Sequence, residues 1–69
     1  SDMLYIQISG MPLDEIYFRL YDMKGKLLVT QKAKSETTAF NMSGLSKGMY
    51  YLYVNNNNQW IKTLKVVKQ

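Results

Sequence analysis

The 69-residue chain contains no cysteine and no histidine. Without cysteine there is no disulfide, thiolate metal site or cysteine nucleophile, so the fold must be held by packing alone. Without histidine the chain lacks the commonest general base near neutral pH and the commonest metal ligand. Because these absences remove a member from most hydrolase mechanisms, we predict no catalytic residue, no metal site and no cofactor, and an enzyme is the least favoured class.

Long apolar runs are also missing from the sequence. No run approaches the roughly 18 to 20 apolar residues that span a bilayer, and the N-terminus lacks the basic-then-apolar pattern of a signal peptide. The composition, 46% hydrophobic and 20% charged, is that of an ordinary folded domain. We predict one domain over residues 1–69 with no membrane span, and the abrupt strand-like start indicates that the chain was cut from something longer or carries a cloning remnant.

The charge is moderately basic, at +4, with the excess towards the C-terminal end. Lysines spread along strands are typical of a solvated face and protect sheet edges from pairing with other strands. We therefore expect no nucleic-acid partner.

Apolar residues alternate with other residues along most of the chain, and no window keeps helical spacing for three turns. The last strand is expected to carry Trp60, Leu64 and Val66 on one face. Six short strands joined by tight turns predict an all-β fold, an antiparallel sandwich or a small barrel. Two three-stranded sheets would leave the core unbalanced, which indicates a seventh strand before Ser1. The six expected strands cover residues 4–8, 16–21, 26–32, 37–42, 49–54 and 59–67.

Three polar segments are expected to form the turns. Asp22 can accept hydrogen bonds from the backbone amides that follow it, and Gly25 can adopt the positive φ of a type I turn with a bulge. Residues 43–48 fit a single tight helical turn that places Leu45 in the core. Four asparagines at 55–58 can reverse the chain, because asparagine tolerates left-handed backbone angles.

Other candidate sites have simpler structural interpretations. Asp14 and Glu15 are adjacent, and adjacent strand residues point to opposite faces, which argues against a catalytic carboxylate pair. Their placement after Pro12 and before a strand indicates ordinary loop residues. Asp22 has no acidic neighbour in sequence with which to bind Ca²⁺. Asn41 begins a glycosylation triplet, a short pattern that at a strand end is more often accidental.

Tyr17, Tyr21, Tyr51 and Tyr53 fall opposite the apolar stripes of their strands. Cross-strand aromatic pairs stabilise an exposed sheet face by roughly 0.2 to 1 kcal/mol each, which is a sufficient structural reason for them. A rigid amphipathic surface is also typical of protein interfaces and of surfaces that stack on sugars or bases. One candidate function is therefore a carbohydrate-binding or adhesive module that uses these tyrosines and Trp60.

Three segments occur in an order that resembles the C-terminal sorting domain of the type IX (Por) secretion system of Bacteroidetes. The first ends in a Tyr-Asp-x-x-Gly-Lys turn at 21–26, and the second is the Leu-x-x-Gly-x-Tyr segment at 45–50. The third is the lysine-rich end at 62–69. Together with their flanking strands they cover most of the chain from Leu4 onward.

The resemblance implies an immunoglobulin-like sandwich of six to seven strands at the end of a cargo protein. Such a cargo reaches the periplasm by a separate signal peptide and crosses the outer membrane, where a sortase removes the domain. The expected partners are the outer-membrane translocation and sortase components, and the cargo ends on the cell surface or in the medium.

The chain departs from the family pattern at its start. In the family, a Tyr-Pro-Asn-Pro-like element usually precedes the position that Asp2 occupies here. The opening strand is therefore expected to be absent, and the open edge favours a strand-exchanged dimer.

The resemblance also implies which residues are recognised during sorting. These residues are Gly48, Tyr50, Lys62, Leu64, Lys65, Val66, Val67, Lys68 and Gln69.

Overall fold

The computed structural model describes residues 2–57 and 59–69, which form six strands and one short 3-10 turn. The expected all-β fold with six strands is confirmed, and strand bounds differ from the prediction by a few residues. The strands are β1 Met3–Gln7, β2 Ile16–Tyr21, β3 Leu27–Lys32, β4 Thr37–Asn41, β5 Gly48–Asn56 and β6 Gln59–Lys68, and the 3-10 turn is Leu13–Glu15.

The strands form one four-stranded sheet, in the order β3-β2-β5-β6, and one two-stranded sheet of β1 and β4. Every pair is antiparallel, and the two sheets pack face to face as a sandwich. The expectation of two three-stranded sheets is wrong. Short turns keep β3 beside β2 and β6 beside β5, so only β1 and β4 remain for the second sheet.

The core lies between the two sheets and is built from alternate residues of the central strands. Ile16, Phe18 and Leu20 of β2 are fully buried, as their spacing predicts. Phe40 of β4 meets Phe18 across the sandwich, with ring centroids 5.4 Å apart and planes at 89°. This edge-to-face contact joins the large sheet to the small one. The other buried apolar residues are Ala33, Met42, Tyr50, Leu52, Val54 and Val66.

A bulge in β6 changes which residues of that strand face the core. The pairing of β5 with β6 shifts by one residue after Val54, which leaves Ile61 as an extra residue on β6. Ile61 packs against the core, whereas Trp60 lies on the outer face and is 60% exposed. The prediction that Trp60 shares a face with Leu64 and Val66 is therefore wrong, because a bulge reverses the alternation.

The asparagine segment forms a shorter turn than expected. Asn55 and Asn56 belong to β5 and pair with residues of β6, so only positions 57 and 58 lie between the strands. Asn57 has a φ of +47°, and its backbone amide donates a 2.9 Å hydrogen bond to the Glu15 carbonyl oxygen. Asn58 lies outside the described residues.

Candidate recognition surface at the end of the last strand

β6 is an edge strand of the large sheet. It pairs with β5 on one side, and among the described residues no strand pairs with its other side. An edge strand presents unpaired backbone amides and carbonyls to which an extended segment of another protein can add. The backbone of β6 is therefore available to a partner.

The side chains expected to be recognised at the end of β6 differ in exposure. Val66 is buried and Leu64 is half-buried, and both pack in the core. Lys65 pairs with Tyr51 and Val67 with Met49, which places these two β6 side chains on the outer face of the sheet. Val67 is 59% exposed, which is high for an apolar side chain in a strand. The exposed members of the set are Lys62, Lys65, Val67 and Gln69.

Lys68 differs from the other lysines of β6, because its ammonium group is largely enclosed. Its Nζ atom donates hydrogen bonds to the carbonyl oxygens of Leu45 at 2.6 Å and of Met42 at 2.7 Å, with a longer contact of 3.4 Å to that of Ser43. The Asp2 carboxylate lies 3.8 Å away, and the Lys68 side chain is only 13% exposed. Lys68 thus ties the end of β6 to the loop between β4 and β5.

The same loop is also fixed from the β5 side. The Leu45 amide donates to the Met42 carbonyl at 3.0 Å, which closes a turn in the segment where the sequence predicts a single helical turn. The Leu45 side chain is half-buried against the core. Gly48 has a φ of +146°, in the region that favours glycine. The Tyr50 side chain is buried, and its hydroxyl donates a 2.5 Å hydrogen bond to the Ser46 carbonyl. Gly48 and Tyr50 therefore each have a structural role in the loop.

The tyrosines singled out from the sequence share the outer face of the large sheet. Tyr21 and Tyr53 are in edge contact, with ring centroids 5.1 Å apart. Tyr53 is exposed, whereas Tyr17, Tyr21 and Tyr51 are half-buried. An open recess of about 450 Å³ lies at one end of this face. It is lined by Tyr21, Asp22, Met23, Gly25, Tyr51 and Tyr53.

Trp60 extends this aromatic face onto β6. It pairs with Asn55, which in turn pairs with Tyr17. Its indole N–H donates a 2.9 Å hydrogen bond to the Thr63 hydroxyl, which fixes the ring. The bulge that turns Trp60 outward has no clear sequence signal, because Ile61 and Trp60 are both apolar.

The β2–β3 connection is a turn closed by an aspartate side chain. One carboxylate oxygen of Asp22 accepts hydrogen bonds from the backbone amides of Lys24 and Lys26, both at 2.9 Å. Gly25 has a φ of +85°, and its amide donates to the Asp22 carbonyl at 3.1 Å. This arrangement is the turn that the sequence predicts for these residues.

The described residues show no geometry for metal chemistry. Over 2–57 and 59–69, no group of three or more His, Cys, Asp or Glu side chains could hold a metal ion. No helix in these two stretches has the length and apolar character needed to cross a membrane.

Comparison with known proteins identifies a family for the chain. The family model described as "Secretion system C-terminal sorting domain" matches residues 1–69, which is the whole chain. No match to a curated protein or to a solved structure was found. The family match supports the sorting hypothesis and adds nothing to the carbohydrate-binding alternative.

Proposed function

The chain belongs to the family of secretion-system C-terminal sorting domains, and on this basis we propose how the type IX secretion system reads it. The domain is a C-terminal secretion signal, which directs the protein that carries it to the cell surface or into the medium. We propose that the outer-membrane translocation component recognises the exposed end of β6, centred on Lys65 and Val67.

The observation that carries this proposal is the exposure of Val67 on a strand edge that pairs with no strand among the described residues. An apolar side chain there can enter a recess of a partner, while the free backbone of β6 accepts an added strand. Lys65 lies on the same face and adds a positive charge that an acidic partner surface would attract. Backbone pairing would supply affinity, and the two side chains would supply specificity.

We propose one step before recognition and one after it. The cargo reaches the periplasm by its own signal peptide, and the sorting domain then brings it to the translocation component. On the outer surface a sortase cleaves the peptide bond between cargo and domain. The domain leaves with a new amino end, and the acyl group at the end of the cargo is transferred to water, which releases the cargo with a free carboxylate, or to surface lipopolysaccharide, which attaches it.

A fluorescent reporter tests the recognition step. The reporter is sent to the periplasm of a type IX-secreting bacterium with this chain at its C-terminus. Removal of the last residues would delete buried Val66 and unfold the domain, so single substitutions at exposed positions are the better test. We expect Lys65→Glu and Val67→Glu to keep the reporter in the periplasm. Lys34→Glu makes the same charge reversal at an exposed position between β3 and β4, and should leave export unchanged.

The outcomes separate recognition from the later steps. Normal export of both β6 variants would place recognition elsewhere on the domain. A reporter that reaches the medium without the 8.1 kDa domain would support removal by a sortase, and a reporter that keeps the domain would contradict it. Retention of the unmodified chain in the periplasm would show that these 69 residues do not suffice. The expected upstream strand, added back, would then be required to restore export.

The small sheet also supports the strand-exchanged dimer. β1 and β4 pair as strands only with each other among the described residues, so each is an edge strand to which a strand of a second copy can add. Light scattering on the purified chain tests this, with a dimer expected and a monomer at all concentrations contradicting it. The addition of the upstream strand in cis should convert the dimer to a monomer.

A further inference from the structure

The enclosed ammonium group of Lys68 separates this residue from the exposed lysines of β6. An ammonium group has three N–H donors, and the carbonyl oxygens of Met42, Ser43 and Leu45 offer three acceptors. The Asp2 carboxylate at 3.8 Å adds a negative charge on the same side. No donor of Lys68 remains for a partner while these contacts are made.

We infer that Lys68 is a positioning residue of the sorting signal, which fixes the end of β6 to the β4–β5 loop and thereby determines which side chains the export machinery meets. The inference rests on the proposed function and assigns a different task to each lysine of the strand. Lys65 is presented to the partner, and Lys68 holds the strand that presents it.

Because side chains alternate between the two faces of a strand, the position of Lys68 determines the orientation of its neighbours on β6. Val66 points into the core, and Lys68 points to the same side, onto the loop. The residues between and beside them, Lys65 and Val67, must then point outward. The end of a strand is poorly ordered unless something ties it down. With Lys68 in place, the cation of Lys65 and the apolar side chain of Val67 keep a fixed spacing on one face.

The loop that receives Lys68 is itself held in shape by the second of the three sequence segments. Tyr50 holds the Ser46 carbonyl, and Gly48 permits the backbone to enter β5 directly after the loop. The loop carbonyls that Lys68 contacts are thus presented in a fixed arrangement. The segments 45–50 and 62–69 form the two halves of a single anchor, which gives a physical reason for their occurrence in one sequence.

The partner surface that fits this arrangement has a definite chemistry. It needs an apolar recess for Val67 with acidic groups to one side for Lys65, and a free strand edge to pair with β6. An acidic group placed to bind Lys68 would compete with three carbonyl oxygens and with Asp2. The relevant specificity therefore lies in the residues that Lys68 positions.

Amine labelling of the reporter fusion tests the anchor in solution, without reference to export. A brief reaction with an N-hydroxysuccinimide ester is followed by mass spectrometry of each lysine. The Lys68 nitrogen must leave its hydrogen bonds before it reacts, so we expect its labelling to be about tenfold or more slower than that of Lys65. In urea the two rates should become equal. Equal rates in the folded protein would overturn the inference.

Substitutions then connect the anchor to export. Lys68→Met keeps the aliphatic stem and removes the donors, and Lys65→Met is the matched removal of an exposed cation. We expect Lys68→Met to speed amide hydrogen exchange at the end of β6 and to reduce export, while circular dichroism shows that the domain remains folded. Lys65→Met should reduce export without any change in exchange. Lys68→Arg, which restores donors to the carbonyls, should recover part of the export.

Each other outcome contradicts a specific part of the inference. Export lost in Lys68→Met with unchanged hydrogen exchange would mean that the partner reads the Lys68 ammonium directly. Faster exchange with normal export would mean that presentation does not depend on the anchor. If the unmodified reporter is not exported even with the upstream strand added, while Lys68 labels slowly, the proposed recognition of β6 fails and the anchor stands as a structural feature only.

Discussion

The hydroxyl of Tyr50 lies 2.5 Å from the carbonyl oxygen of Ser46, so a buried side chain of β5 closes the loop that leads into its own strand. The ammonium of Lys68 reaches the same loop from β6. Two side chains from neighbouring strands therefore replace the regular backbone pairing that the loop lacks. The stability of this end of the domain depends on a few side-chain donors.

Replacement of Tyr50 by Phe removes the hydroxyl and keeps the buried ring. The Ser46 carbonyl then loses a hydrogen bond in a partly buried site, which we expect to cost about 0.5–1.5 kcal/mol in the free energy of unfolding. Urea denaturation measures the loss. Hydrogen exchange should quicken in residues 43–47 more than in β2.

Tyr53→Phe is the matched control for this change. Tyr53 lies on the same strand and its ring is exposed, so removal of its hydroxyl should leave the free energy of unfolding nearly unchanged. If both variants lose the same stability, the Tyr50 hydroxyl has no special role in the loop.

Gly48→Ala tests the backbone conformation at the start of β5. The φ of +146° is strained for any residue with a β-carbon, and we expect a cost of about 1–3 kcal/mol. The added methyl group itself meets no atom within 4 Å, so a loss of stability would come from the backbone. Thermal unfolding of Gly48→Ala beside Gly44→Ala separates backbone strain from the general effect of replacing glycine by alanine. At Gly44 the space is equally open and φ lies outside the strained range, so the Gly44 variant should be nearly as stable as the original.

Phe40→Ala removes one ring of the contact between the two sheets. Loss of a buried phenylalanine side chain typically costs about 3–5 kcal/mol, which is a large part of the stability of a small domain. We expect a strong loss of folded protein by circular dichroism and a susceptibility to proteases. Tyr5→Ala removes an aromatic ring that is 63% exposed on β1 of the same sheet, and should change stability by about 0.5 kcal/mol or less. An equal effect at the two positions would mean that the Phe18–Phe40 contact does not join the sheets.

The all-β class and most strand positions follow from the sequence, because alternation is a local property. In β2, the residues Ile16, Phe18 and Leu20 are separated by Tyr17 and Arg19, and the structure buries the first three and leaves the others half-buried. The Asp22 turn is also local, since its hydrogen bonds join residues two and four positions apart. For such features the sequence contains all the partners.

Features that depend on distant partners could not be predicted in this way. In the sequence, Lys68 resembles the other solvated lysines of an edge strand. The carbonyl oxygens that accept its hydrogen bonds lie 23 to 26 residues away, on a loop whose position depends on the packing of both sheets. The outward orientation of Trp60 depends on a bulge that is visible only once β5 and β6 are paired. The role of Tyr50 as a donor likewise requires the path of the loop before it.

The Asp22 turn allows a test in which one variant should rescue what another removes. Asp22→Ala deletes the oxygen that accepts from the amides of Lys24 and Lys26, and we expect a loss of about 1 kcal/mol in the free energy of unfolding. Asp22→Asn keeps an oxygen in the same place, so it should lose less than half as much.

Asp14→Ala serves as the control, because Asp14 is exposed and its side chain makes no hydrogen bond or ion pair among the described residues. It removes the same negative charge as Asp22→Ala and should leave stability close to the original. Chemical denaturation of the three variants thus separates the effect of charge from that of the acceptor oxygen. If Asp22→Asn is as unstable as Asp22→Ala, the carboxylate charge rather than the hydrogen bonds stabilises the turn.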